Sequence, residues 1–404
     1  MMSETRRRIP ELDGLRVLMI FVVSWYHIWQ QSWLPPMVGS LSLDYLVRSG
    51  YVWVDGTVLL SAFLLFLPYA AAMRGEVPVP DTRTFYWRRA RRILPGYYFI
   101  LLLVFFTICL PWNLYYSAPY MVKDLATHFT FTFTFFYDTY IATPLGAASW
   151  TLAIEVQAYL LFPLIARGVM KRPVLTLSLL ALTGWAFRAW CLWGMTDYSM
   201  VVNQLLNFTD VYVLGILGAM AFGPLSRWFE ALQGKKQVIF RLLATGLFVA
   251  AFYGLQRLLM VQASSPGYAE IQANQMKFRP LYGLLFLSLV LAAPLSLKPL
   301  RLLLGNPLTK FLAGISMNYY LIHQTIIVHM KRIGFPASQT ENPHMTGERS
   351  WQYSYTWWAF GISLLAAILI TYLVEKPGAR LMDKLRSRIK KPHMDSRPDT
   401  ADHG

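Results

Sequence analysis

Arg16 and His27 lie eleven residues apart in the apolar stretch GLRVLMIFVVSWYHIWQQSWL. At 100° per residue the two side chains fall about 20° out of register and roughly 16 Å apart along one helix. A cation near one membrane face thus sits directly below an imidazole deep in the bilayer. Ionisable groups are expensive in lipid, so the pair is read as part of a functional site facing the interior of a bundle.

Three further polar groups join His27 at one level. Asp55 and Glu155 come about five and six residues into their apolar runs, while His27 and His323 come about seven residues before the outer ends of theirs. At 1.5 Å per residue all four lie roughly 8–11 Å below the outer interface. One such residue alone is as well read as a satisfied polar contact between helices, whereas four at one depth point to a polar cavity. A carboxylate beside an imidazole orients the ring and raises its basicity, as in many acyl-transfer sites. His27 with Glu155 or Asp55 is therefore a candidate base and orienter. Ser61 and Ser149 lie near enough for a serine triad, but no nucleophile-elbow motif accompanies them. Three convergent ligands could be found for zinc in the same set, yet the sequence contains no dedicated metal motif and the reading takes none.

At the other end the chemistry is that of anions. WRRARR places Arg88, Arg89, Arg91 and Arg92 just before the third apolar run. Such a cluster marks a cytoplasmic loop by the positive-inside rule; it also reads as a phosphate clamp, since two arginines three apart share a helical face and pair bidentately with phosphate. Arg16 would extend the clamp upward. Arg188, within the fifth run, is expected to snorkel to the outer interface.

The elements that must position these groups follow from composition. The 404 residues are 55% hydrophobic and 14% charged, with a mean hydropathy of +0.39, the profile of an all-α polytopic membrane bundle. Apolar runs begin near residues 15, 50, 94, 149, 173, 204, 237, 279, 308 and 353, giving about ten spans. The net charge of +16 is concentrated between spans, which excludes nucleic acid as the explanation. Arg167, Lys171, Arg172, Arg227, Lys235, Lys236, Lys298, Arg301 and the tail from Lys376 gather on one side; Lys123, Lys277, Lys331, Arg332 and Arg349 form a sparse remainder. Both termini are thus expected in the cytoplasm. Arg6, Arg7 and Arg8 precede the first run without a small-residue cleavage site, so that run reads as a retained helix. Cys109 and Cys191 both fall in apolar runs, which leaves no disulfide framework or cysteine-based metal site. The alternation of Phe and Thr from His128 to Phe136 has strand period, read as an outer segment tucked against the bundle, and Pro336 to Ser350 reads as an outer loop. The closing KPHMDSRPDTADHG carries almost no apolar content and is expected to be disordered. The division expected is a cytoplasmic segment at 1–12, a membrane domain at 13–377 and a basic cytoplasmic tail at 378–404.

Six blocks, in order, are RIPELDGLRVLMIFVVSWYH, GYVWVDGTVLLSAFLL, FYWRRARRILPGYY, SWTLAIEVQAYLLFPLI, ISMNYYLIHQ and YLVEKP. Together they resemble acyltransferase family 3, integral-membrane enzymes that move acyl groups from cytoplasmic acyl-CoA to extracytoplasmic sugars. The resemblance implies that Arg16 and His27 fill the places of the family's first-helix Arg and catalytic His. Arg89 and Arg92 match its Arg-x-x-Arg, implied to contact the donor, with Arg88 and Arg91 as a shifted match; Trp150, Thr151, Leu152 and Glu155 match its Trp-Ser/Thr-Leu-x-x-Glu. Ala62 stands where the family has glycine, which predicts a looser helix contact, and Glu375 is read as structural. Some members carry a further hydrolase-like domain after the last span, for which this chain has no room.

The resulting expectation is a multi-pass acyltransferase of a bacterial inner membrane. It would bind no resident cofactor and use acyl-CoA, acetyl-CoA by family frequency, as co-substrate, with an extracytoplasmic carbohydrate, free or lipid-linked, as acceptor. Phosphates would rest on Arg16, Arg88, Arg89, Arg91 and Arg92. His27 would deprotonate the acceptor or carry the acyl group, and Trp150, Asn318 or His323 would serve the oxyanion. The rival readings are a transporter or flippase of a polar or lipid-linked saccharide, and a structural partner in polysaccharide assembly. Acceptor and oligomeric state stay open.

Overall fold

A computed structural model describes residues 8–389. Arg6, Arg7 and KPHMDSRPDTADHG lie outside the described residues. Among the described residues ten helices are long and apolar enough to cross a membrane: α1 (Pro10–Ser32), α2 (Trp53–Met73), α3 (Thr82–Val104), α4 (Trp150–Lys171), α5 (Pro173–Gly194), α6 (Thr209–Ala231), α7 (Gly234–Ala263), α8 (Tyr268–Ala292), α9 (Pro307–Arg332) and α10 (Arg349–Ile370). Hydrocarbon tolerates only segments that satisfy their own backbone, so the apolar runs become helices. Sheet structure among the described residues is confined to a small hairpin pairing Met37–Val38 with Leu41–Ser42.

Two helices begin well before the apolar runs suggest. The α3 helix starts at Thr82, with the Asp81 side chain accepting from the Thr84 N–H at 2.8 Å. WRRARR therefore lies on the first turns of the helix and not in a loop. The α8 helix starts at Tyr268, which places Lys277 within it. Charged residues tolerated at helix ends hide such starts from a hydropathy reading.

The centre of the bundle is α2. It packs most extensively on α6, where the close approach depends on Gly215: a Cβ there would stand 2.6 Å from the Leu59 carbonyl oxygen and 2.7 Å from Ala62. Ala62 is fully buried. The looser contact expected at Ala62 is thus corrected, because the opposing helix supplies the glycine. The α1 helix is held between α9 and α2, and a Cβ on Gly14 would come 2.1 Å from the Leu304 carbonyl oxygen. That contact fixes the turn carrying Arg16.

Between α3 and α4 the chain forms a helix (Ala118–Phe129) and a 3-10 turn (Phe133–Phe135), where Phe–Thr alternation suggested a strand. It is tied to the bundle by Tyr97, whose hydroxyl donates to the His128 carbonyl at 2.9 Å, and by Gln157, which donates to the Phe131 carbonyl at 3.2 Å. Within it His128 Nδ1 donates to the Asp124 backbone carbonyl at 2.8 Å. Past α10 the chain turns through a π-helical turn (Thr371–Glu375) into an amphipathic helix (Lys376–Ile389) that lies against α3.

Candidate functional site

The start of α3 and the helix Lys376–Ile389 enclose a hollow at the basic end of the bundle, lined by Arg88, Arg89, Arg91, Arg92, Lys376 and Arg380 together with Glu375 and Asp383. Asp383 fixes the two walls to each other, pairing with Arg91 and accepting from Trp87 Nε1. Arg89 turns inward, its guanidinium lying over the rings of Phe85 at 5.6 Å and Tyr159 at 5.4 Å.

Arg89 and Arg92 also line a second, deeper cavity of about 240 Å³. Arg16 and Ile20 enter it from α1, Ser61 from α2, Glu155 and Tyr159 from α4, and Tyr320 from α9. Three guanidiniums here face one carboxylate, and among the described residues none of them comes within 4 Å of it. Arg89 Nε is buried without a hydrogen-bond partner. A buried donor left open is costly, and a pocket with surplus positive charge favours an anion. Arg16, Arg89 and Arg92 are thus brought together as the helix spacing suggested, while Arg88 and Arg91 stay at the outer rim.

His27 is half-buried on α1, five residues before the helix ends at Ser32. Its Nδ1 lies 3.0 Å from Gln30 Oε1, and Gln30 Nε2 donates to the Tyr26 hydroxyl at 2.8 Å. An acceptor oxygen at that distance makes Nδ1 the protonated nitrogen and leaves Nε2 with a free lone pair. The ring centroid is 5.3 Å from that of His323. His323 is fully buried; its Nδ1 donates to the Tyr320 carbonyl at 2.7 Å and its Nε2 has no partner. In that tautomer His323 offers a lone pair at Nε2, not an N–H, so the oxyanion role expected of it does not fit. The Tyr320 ring, which lines the cavity, lies 5.6 Å from that of His323. The cavity and the two imidazoles are therefore neighbours separated by a tyrosine, and His27 does not line the space that Arg16 lines.

Four other expectations need correction. Asp55 does not orient His27: it is fully buried against Arg279, whose Nε donates to it at 2.6 Å, whose Nη1 donates to the Val202 carbonyl at 2.9 Å, and whose guanidinium covers Phe208 at 3.9 Å. Glu155 lines the Arg16 cavity and makes no contact with His27, because α4 begins beneath the overlying segment with Ala148, Ser149 and Thr151 already buried. Asn318 lies toward the basic end, its Nδ2 donating to Glu375 at 2.5 Å and Thr371 at 2.8 Å, and cannot serve an oxyanion beside His27. Arg188 does not snorkel; it is buried and paired with Asp210, donating also to the Asn207 carbonyl at 2.9 Å. Trp150 stacks near Phe208, with centroids 6.2 Å apart, beside the Arg279 cluster. Ser149 Oγ donates to the Gly146 carbonyl at 2.8 Å, so it is engaged locally.

Sequence reasoning missed Gln30, Tyr320, Arg279 and Asp210. Gln30 was legible as the i+3 neighbour of His27 on a helix. A lone Arg279 in an apolar span also demands a partner, though nothing local names Asp55 at a separation of 224 residues. Among the described residues no three His, Cys, Asp or Glu side chains come close enough to hold a metal ion.

Comparisons with known proteins agree with the motif blocks. The family model described as "Acyltransferase domain" matches residues 9–376. The O-acetyltransferase OatA of Staphylococcus aureus is 30% identical over 176 residues, covering 41% of this chain and 26% of that protein. The peptidoglycan O-acetyltransferase OatA of Listeria monocytogenes is 25% identical over 203 residues, covering 46% and 29%. YrhL of Bacillus subtilis is 26% identical over 173 residues, covering 40% and 24%. The chain thus spans less than a third of the length of the curated relatives it matches. No solved structure matches. With ten spanning helices and a family match running from the start of α1 to the π-helical turn that follows α10, the chain belongs to the acyltransferase domain family.

Proposed function

We propose that this chain is an O-acyltransferase of a bacterial inner membrane. In this reading its basic end faces the cytoplasm and its His27 end faces outward, and it moves an acyl group from acyl-CoA to a hydroxyl of an extracytoplasmic carbohydrate. The observation that carries the reading is the cavity in which Arg16, Arg89 and Arg92 outnumber the single carboxylate Glu155, with Arg16 on the same helix that bears His27. The distribution of Lys and Arg supports the orientation, with both termini inside. The name of the Listeria relative supports acetyl as the acyl group and a cell-wall glycan as the acceptor.

Phosphates of the donor pair with the guanidiniums at the mouth, Arg89 and Arg92 first, with Arg88 and Arg91 at the rim. The thioester end rises past Arg16 to the ceiling formed by Tyr320. When Tyr320 swings aside, the thioester carbonyl meets Nε2 of His27. There His27 takes the proton of the sugar hydroxyl as the oxygen bonds to the carbonyl carbon; the C–S bond then breaks, and the departing thiolate receives that proton. Glu155 acts from the cavity by setting the charge around the donor.

Purified protein given acetyl-CoA and a glycan acceptor is expected to release free CoA thiol. His27→Ala should lose that release by at least 10²-fold while keeping its fold and its affinity for the donor. A fully active His27→Ala protein, or movement of a saccharide across vesicles with no thiol released, would overturn the reading.

A further inference from the structure

The imidazole at the outward end lacks the carboxylate that usually orients such a group, yet its ring is held. Gln30 lies one turn beyond His27 on α1, and each end of its amide is engaged: Oε1 at 3.0 Å from His27 Nδ1, and Nε2 donating to the Tyr26 hydroxyl at 2.8 Å. Tyr26 is in turn wedged in place. Its ring meets that of Tyr51 edge-on with centroids 5.2 Å apart, and Tyr51 accepts from Gln262 Nε2 at 2.7 Å, which ties the group to α7. Gly50 allows this fit, since a Cβ there would stand 2.7 Å from Tyr26 Cβ.

We propose that Gln30 is the positioning residue for His27, a neutral amide that fixes the ring and its tautomer so that Nε2 is presented unprotonated to the acceptor hydroxyl. This rests on the reading of His27 as the acting imidazole. A second glutamine competes for the same nitrogen: Gln324 Nε2 stands 3.5 Å from His27 Nδ1. The two demand opposite tautomers, because Gln30 presents an acceptor oxygen and Gln324 a donor N–H. The shorter contact, with its amide anchored at the far end, selects Nδ1–H and leaves Nε2 basic.

An amide orients without adding charge. The groups that face His27 are Tyr26 and Gln30 on its own helix and His323 and Gln324 on α9. The nearest cations turn elsewhere, Lys331 to the Gln31 carbonyl at 3.1 Å and Arg48 over Trp29 at 5.3 Å. A carboxylate placed at position 30 would accept the same hydrogen bond and also stabilise the imidazolium.

The test uses the full-length protein in nanodiscs with acetyl-CoA and a soluble glycan acceptor. Gln30→Met is expected to lower kcat roughly 10–100-fold, the usual cost of removing a partner that fixes a functional imidazole. Its acetyl-CoA affinity should stay within about twofold, since the donor cavity lies elsewhere. Gln30→Glu is expected to restore most of kcat and to move the acid limb of the pH profile upward by about one pH unit or more. Gln324→Met should cost less than Gln30→Met. Equal loss in both Gln30 variants with no displacement of the pH limb would show a merely structural role and overturn the proposal. So would full activity in Gln30→Met, or a larger loss in Gln324→Met. If His27→Ala were itself active, the catalytic reading would fall first; if it is dead while Gln30→Met is fully active, only the positioning role fails.

Discussion

Two regions of this bundle gather arginines among their helices, and they treat them in opposite ways. Between α2, α5, α6 and α8 each guanidinium has its own carboxylate, Arg279 with Asp55 and Arg188 with Asp210, and each also donates to one backbone carbonyl, while Arg279 Nη2 and Asp55 Oδ2 stay without a partner. In the cavity between α1, α3, α4 and α9, three guanidiniums share one carboxylate that none of them touches, and Arg89 Nε is unpartnered. A buried charge that pairs with its own carboxylate serves the fold, whereas surplus positive charge lining a cavity favours a counter-ion that arrives from outside. Apparent depth in the membrane does not distinguish the two; a carboxylate within salt-bridge distance does.

The contrast can be broken most forcefully on the paired side. Arg279→Leu strands Asp55 in the core and should cost about 3–5 kcal/mol, seen as loss of folded protein or a large drop in thermal unfolding temperature in detergent. Exchanging the pair, Asp55→Arg with Arg279→Asp, should recover part of that loss; a single variant as stable as the native chain would show that the pair is not structural. On the surplus side Arg89→Ala or Arg92→Ala should leave unfolding unchanged and weaken acetyl-CoA binding by about 1.5–3 kcal/mol, roughly 10- to 150-fold in Kd by calorimetry. Removing a carboxylate from each region sharpens the point through its sign. Asp55→Asn should destabilise, whereas Glu155→Gln should tighten donor binding by about 1 kcal/mol or less, because it deletes repulsion toward an anion. Weaker binding in Glu155→Gln would mean that Glu155 contacts the donor or organises the arginines.

The smallest effect is expected at an exposed network. Glu76, in the turn after α2, pairs with Arg74 at 2.7 Å and with Arg227. Its carboxyl is held below the ordinary value of 4.5, chiefly by hydrogen bonds from Arg74. A lowered native value means that the stabilisation is complete above 4.5 and fades as the pH falls further. Being exposed and screened, Glu76→Gln should cost under about 1 kcal/mol in unfolding at neutral pH, and nothing once the carboxyl is protonated.

How much of this was legible beforehand depended on the range of the interaction involved. The spans were readable because each satisfies its own backbone, and the Arg16–His27 face because it repeats within one helix. The starts of α3 and α8 were not, since residues such as Arg88 and Lys277 look like loop when only hydropathy is weighed. The level of Glu155 was misjudged because depth was counted from the end of α4, and that end is roofed by a segment whose fold the alternating Phe and Thr disguised. Asp55 was assigned to His27 because its partner, Arg279, enters from a helix far along the chain. Long-range pairing sorted the polar residues into two groups, and no local pattern records it.

Tyr320 has a consequence for the membrane itself. It lines the hollow that Arg16 enters and its ring lies 5.6 Å from that of His323, so one side chain lies between the cavity and the two imidazoles. Rotation of that single ring, with no rearrangement of helices, is the smallest motion that would join the two polar regions across the thickness of the membrane.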